Sequence, residues 1–157
     1  MAKNDIVQGG DLMLFKVGGT TQAPTYTSFA CATSHSISVS TETSDTSHKD
    51  ISGSWKSSAI KSFSWEATTE NLFTLDPAGS GYFDLYDLMT NKTKVKLIFS
   101  TKTDAALSTT SGWAPDLTGD YLEGEAFITA LQENAPNGDN VTYTVTFTGV
   151  GPLAHQS

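Results

Sequence analysis

The chain contains no arginine: its nine cations are all lysines, set against 17 Asp and Glu for a formal charge of −8. Without the planar guanidinium fork, and with acid in excess, a surface built to grip nucleic acid is excluded as its main function. The single cysteine, Cys31, excludes an internal disulfide framework and a multi-cysteine metal site. No run approaches the ~18 apolar residues that a membrane-spanning helix needs, so no membrane partner is expected. The opening MAKNDIVQGGDL lacks the apolar stretch of a secretory signal, so synthesis in a cytosol is expected. No linker, repeat or break in composition divides residues 1–157, which read as one domain.

Hydroxyl residues are abundant. Ser and Thr make up 41 of the 157 residues, a composition that fits pleated sheets with one polar face. Residues 34–42 alternate Ile37 and Val39 against Ser36, Ser38 and Ser40. Residues 61–70 set Phe63, Trp65 and Ala67 against Ser62, Ser64, Glu66 and Thr68. Residues 141–149 set Val141, Tyr143, Val145 and Phe147 against threonines at 142, 144, 146 and 148. Further strands are predicted at 11–17, 29–32, 94–103 and 121–133, with a turn around Pro136, Asn137, Gly138 and Asp139.

One helix is predicted over 80–91, with Ser80 as its N-cap and Asn91 as its stop. The expected core is Phe63, Trp65, Val95, Leu97, Phe99, Val145 and Phe147, with Phe83 and Leu88 of the helix packed on it. Residues 43–58, TSDTSHKDISGSWKSS, hold only Ile51 and Trp55 as large apolar groups and read as an extended hairpin arm. Either such an arm packs on itself to cover Trp55, or it orders on a partner and the Trp marks an interaction surface. The fold class is mainly β: an antiparallel sandwich or barrel-like arrangement with one flanking helix.

The search for catalytic chemistry is thin. Cys31 and His35 lie four apart in a strand-like stretch with no second ligand pair, and Asp45, His48 and Asp50 offer too few oxygens for calcium. Gly79-Ser80-Gly81 precedes a helix but lacks the lysine of a phosphate-binding loop. Glu123 and Glu125 share one strand face, whereas glycosidase carboxylates oppose each other across a cleft. Gly124 between them reads as a bulge or a close backbone approach. Neither a catalytic group, a metal nor a cofactor is assigned, and an enzyme is not expected.

Four segments carry a resemblance: GGDLMLFKVGG, ATSHSISVSTET, DISGSWKSSAIKSFSWEATTENLF and VTYTVTFTGVGPL. In this order they resemble the major tail tube proteins of long-tailed bacteriophages. The corresponding stretches are 10–17, 52–55, 64–66 and 145–153, so the likeness spans nearly the whole chain. The arm reads ISGSW where the family has a double-glycine tryptophan form. The resemblance implies a β-sandwich with a flanking helix that assembles into hexameric rings stacked as a hollow tube, related to those of type VI secretion and injection machines. It implies a virion tail location, synthesis in the host bacterial cytoplasm, and tape-measure, terminator and distal tail proteins as partners. DNA would pass through without specific binding.

On that reading the polar residues Ser36, Ser38, Ser40, Glu42, Ser62, Ser64, Glu66 and Thr68 line the lumen, and Ile51 and Trp55 of the arm reach between subunits. The competing readings are another tail or capsid assembly protein (terminator, minor tail or decoration), or a carbohydrate-binding β-sandwich. The latter would use Trp55, Trp65 or Trp113 as a sugar platform.

Overall fold

Alternating apolar and hydroxyl residues produce long strands, and the computed structural model describes residues 12–19, 22–28, 32–46, 56–74, 81–103 and 114–157. The elements are β1 (Leu12–Gly19), β2 (Pro24–Ser28), β3 (Ala32–Asp45), β4 (Ser58–Leu72), α1 (Tyr82–Thr90), β5 (Val95–Thr103), β6 (Ala114–Pro115), β7 (Tyr121–Asn134) and β8 (Thr142–Gln156). Seven strands form one antiparallel sheet in the order β2-β1-β5-β7-β8-β4-β3, and the short β6 pairs the end of β5. The sheet curls until β1 and β3 approach each other, so one continuous sheet performs the work of the expected sandwich.

Cross-strand partners share a face, so the registers define two faces directly. Ala67, Thr69 and Asn71 of β4 oppose Phe147, Val145 and Tyr143 of β8, and all six are buried. Leu14, Val95, Leu97, Ala126 and Ile128 join the same core, together with Trp65 and Leu85. Trp65, Val95, Leu97, Val145 and Phe147 are therefore buried as the alternation predicts, while Phe99 is half-buried against the core.

Two core assignments are corrected. Phe63 lies on the core face of β4 but is 71% exposed, because β8 accompanies β4 only along Glu66–Leu72. Beyond that point β3 and β4 continue as a two-stranded ribbon. Phe83 is 60% exposed, because the stripe that packs inward is Tyr82, Leu85, Leu88 and Met89. Spaced i, i+3, i+6 and i+7, that stripe leaves Phe83 on the outer side.

The local signals differ in smaller ways. The helix N-cap is Gly81, whose N–H donates to the Asp84 carboxylate at 3.5 Å, and Ser80 lies outside the described residues. Asn91 is the C-cap, as predicted. Residues 29–31 of the expected second strand lie outside the described residues, Ala32 opens β3, and β2 runs over Pro24–Ser28. The ribbon stays paired to Asp45 and Ser58, and the Thr46 N–H donates to the Ser57 carbonyl at 2.9 Å. The base of the expected 43–58 arm is thus regular sheet, while Ile51 and Trp55 lie outside the described residues.

Trp65 marks the place where the sheet divides. Its indole lies flat against two glycines: a Cβ on Gly149 would fall 2.3 Å from the ring, and one on Gly124 would fall 2.7 Å from it. Its Nε1–H donates to the Gly151 carbonyl at 3.2 Å. Gly151 has a φ of +77° within the irregularity where Glu123 pairs Ala154 and Glu125 pairs Val150. Gly124 thus serves both expected purposes, a register break and a close approach.

Candidate functional site

The eight expected wall residues come together as four direct cross-strand pairs: Ser36–Thr68, Ser38–Glu66, Ser40–Ser64 and Glu42–Ser62. Three two-residue steps at strand rise extend this face over about 20 Å. Ser36, Ser38, Ser40, Glu42, Ser62, Ser64 and Glu66 are exposed, and Thr68 is half-buried between strands. The Ser62 hydroxyl donates to Glu42 at 3.2 Å, and the Lys61 ammonium lies 3.6 Å from the same carboxylate. Lys61 is the extra residue of a bulge, since Glu42 pairs Ser62 and Thr43 pairs Ile60.

The face extends further than the alternation of β3 and β4 alone indicated. Glu66, Thr68 and Glu70 pair Thr148, Thr146 and Thr144 of β8, and these pair Phe127, Ala130 and Gln132 of β7. The Thr129 and Thr148 hydroxyls lie 2.9 Å apart on it. The result is a broad hydroxyl surface with Glu42, Glu66 and Glu70 exposed along it. The β8 threonines were visible in the sequence as the strictest alternation, but which strands neighbour one another was not.

Two long strand edges border this part of the sheet. Among the described residues β3 pairs only β4, and residues 127–134 of β7 pair only β8. The β3 sequence, ATSHSISVSTETSD, has neither the lysine nor the proline that natural sheets place on exposed edges.

The residues weighed for catalysis do not converge. The Glu123 carboxylate is ion-paired to Lys96, and this bond raises the lysine's pKa. Glu125 pairs across to the same Lys96, so the two carboxylates flank a cation instead of a cleft. His35 sits on the core face opposite Thr69, and burial lowers its pKa below the ordinary 6.5. His155 contacts Asp120 at 3.1 Å on the surface, tying the end of β8 to the start of β7. Among the described residues, no group of three or more His, Cys, Asp or Glu could hold a metal, and no helix is long and apolar enough to cross a membrane. Trp65, buried and hydrogen-bonded, presents no open ring for a sugar. Cys31, His48, Asp50, Gly79 and Trp113 lie outside the described residues.

The family described as phage tail tube protein matches residues 7–155. The chain belongs to that family. No curated protein sequence matches it. Solved structures share its fold at low identity. The tail of an empty gene transfer agent particle, refined with C6 symmetry, has a TM-score of 0.71 at 16% identity, covering 97% of this chain and 100% of that one. The SPP1 tail tube has a TM-score of 0.68 at 10% identity, covering 97% of this chain and 80% of that one. The six-fold symmetrised baseplate of the anti-feeding prophage has a TM-score of 0.62 at 7% identity, covering 100% and 98%. As a tail tube protein, the chain has a structural role.

Proposed function

We propose that this tail tube protein assembles into hexameric rings that stack into a hollow tube, with the hydroxyl face of β3 and β4 on the inner wall. The observation that carries this reading is the pairing of that face with two edges, β3 and residues 127–134 of β7, that pair no further strand among the described residues. Edge β3 of one copy and the 127–134 edge of the next have the right alternation of direction to continue an antiparallel sheet. Six copies would close it, removing edges that are a liability in a monomer. Short hydroxyls and carboxylates then make a hydrated wall that repels phosphate, suiting a conduit for a tape-measure protein and then DNA. Terminator and distal tail proteins would cap the two ends, in a virion tail. The arm with Ile51 and Trp55 would reach between subunits or rings.

Negative-stain microscopy of the purified chain tests the assembly: hollow tubes or six-fold rings are expected, and a persistent monomer that binds glycans would reverse the reading. The wall is tested by Glu42→Lys combined with Glu66→Lys. Tubes should still form, and DNA ejection should slow in a salt-dependent way. Unchanged ejection at low salt, from tubes that carry the lysines, would remove these residues from the wall.

A further inference from the structure

Pairing between β7 and β8 ends at Asn134 and Thr142, so residues 135–141 form the loop of their hairpin. Asn137 and Gly138 make the turn within it, and residues 135–140 are all exposed. Gly138 has a φ of +84°, and nothing lies within 4 Å of the position that a Cβ would take there. That conformation suits glycine, and the missing side chain leaves the backbone open to an approach from its neighbour. Among the described residues, no hydrogen bond engages the Asn137 carboxamide.

The other asparagines among the described residues are held differently. Asn71 is fully buried, and its amide donates to the Thr69 hydroxyl at 2.9 Å. Asn91 caps α1, with its N–H donating to the Asp87 carbonyl at 3.0 Å. Asn134 is paired in the sheet with Thr142. The Asn140 N–H donates to the Asp139 carboxylate at 2.7 Å, and the residue that follows it is the stiff, β-branched Val141. Asn137 is the one asparagine of the chain that precedes a glycine. An unengaged carboxamide, a following nitrogen with no side chain beside it and open space around the turn thus coincide at Asn137.

We propose that Asn137 is a site of spontaneous deamidation and isomerisation through a cyclic imide formed with Gly138. The Gly138 nitrogen attacks Cγ of Asn137. The N–Cγ bond forms, the Cγ–Nδ2 bond breaks, and ammonia leaves with the proton that the Gly138 N–H gives up. Water then opens the five-membered ring. Breaking the bond from nitrogen to Cγ gives aspartate. Breaking the bond from nitrogen to the backbone carbonyl carbon gives isoaspartate, in which the chain runs through Cβ and Cγ. An amide and a water become a carboxylic acid and ammonia, with no oxidant or reductant. The new carboxylate adds one negative charge to the −8 of each copy, between the exposed Glu133 and Asp139. No core residue lies in the loop, so the chain stays folded while its turn and charge change. The reaction needs no second copy and is independent of the tube reading. Copies made at different times become chemically distinct.

Timed incubation of the purified, folded chain in warm, mildly alkaline buffer tests it. Cleavage after Glu133 releases residues 134–157, which hold Asn134, Asn137 and Asn140 in one peptide. Tandem mass spectrometry should show deamidation at Asn137 at least tenfold faster than at the other two. Electron-transfer fragmentation should find both aspartate and isoaspartate there. An acidic form should appear in step on isoelectric focusing, and Asn137→Gln should remove it, because glutamine would have to close a slower six-membered ring. Deamidation at Asn137 no faster than at Asn134 and Asn140, or faster only in chain unfolded by urea, would overturn the proposal by showing that the turn holds the two atoms apart. Aspartate without isoaspartate would overturn the cyclic imide, and an acidic form that persists in Asn137→Gln would overturn the site.

Discussion

Gly149→Ala is the most revealing small perturbation of the fold. The added Cβ would lie 2.3 Å from Cε2 and Nε1 of Trp65 and 2.5 Å from Cδ1, well inside the ~3.5 Å of ordinary carbon contact. The indole would have to retreat by about 1 Å, and two features resist that. Its Nε1–H is bonded to the Gly151 carbonyl at 3.2 Å, and the ring is 5% exposed within the core. Overpacking costs about 1–3 kcal/mol, and loss of the hydrogen bond adds about 1 kcal/mol. The expected destabilisation is therefore roughly 2–4 kcal/mol, or a fall in Tm of roughly 5–15 °C for a chain of this size. Urea denaturation followed by far-ultraviolet circular dichroism measures it. Gly119→Ala is the control, since nothing lies within 4 Å of its Cβ position, and it should stay within about 0.5 kcal/mol of the parent. Combining Gly149→Ala with Trp65→Phe should cost less than the sum of the two, because the smaller ring makes room. A Gly149→Ala subunit as stable as the parent, or a Gly119→Ala subunit equally damaged, would refute the slot.

Phe147→Ala should cost about 3–5 kcal/mol, since its side chain is fully buried, and chemical denaturation would show a loss well under 1 kcal/mol if the strand phase were inverted. Phe63→Ala, on the exposed ribbon, should change monomer stability by no more than about 0.5 kcal/mol in the same denaturation. Deleting residues 44–56 should give a folded, soluble subunit that makes no tubes; normal polymerisation would dismiss the arm. Burial holds the folded His35 pKa below 6.5, so the unfolded chain binds more protons just beneath that pH. The stability present above pH 6.5 should be lost as pH falls through the folded pKa, and His35→Gln should flatten that part of the stability profile.

The sequence was most readable where alternation was strictest. Val145 and Phe147, opposed by four threonines, show both the strand and its phase, and the structure places them in the core. Phe63 shows where that reasoning ends. Period two assigns a side chain to a face, but only the neighbouring strand decides whether that face is covered. Here β8 parts from β4 at Gly149, Gly151 and Pro152, and those residues were the available signal. Phe83 failed for another reason: large apolar residues crowd α1, so more than one helical stripe could be drawn through them. The eight wall candidates fall on one face because the strict alternation of β3 and β4 assigns each residue to a face, while the pairing of the two strands decides which of them stand opposite one another. The continuation onto β8 and β7 depends on long-range pairing, which local periodicity does not encode.

A reconstruction of the assembled chain by electron cryomicroscopy at side-chain resolution is the most direct test of the central claim. The account predicts six copies per ring, with β3 of one copy paired to residues 127–134 of the next. It places Ser36, Ser38, Glu66 and Thr68 on the inner wall. An assembly in which these residues face outward, or in which the β3 edge remains unpaired, would contradict it.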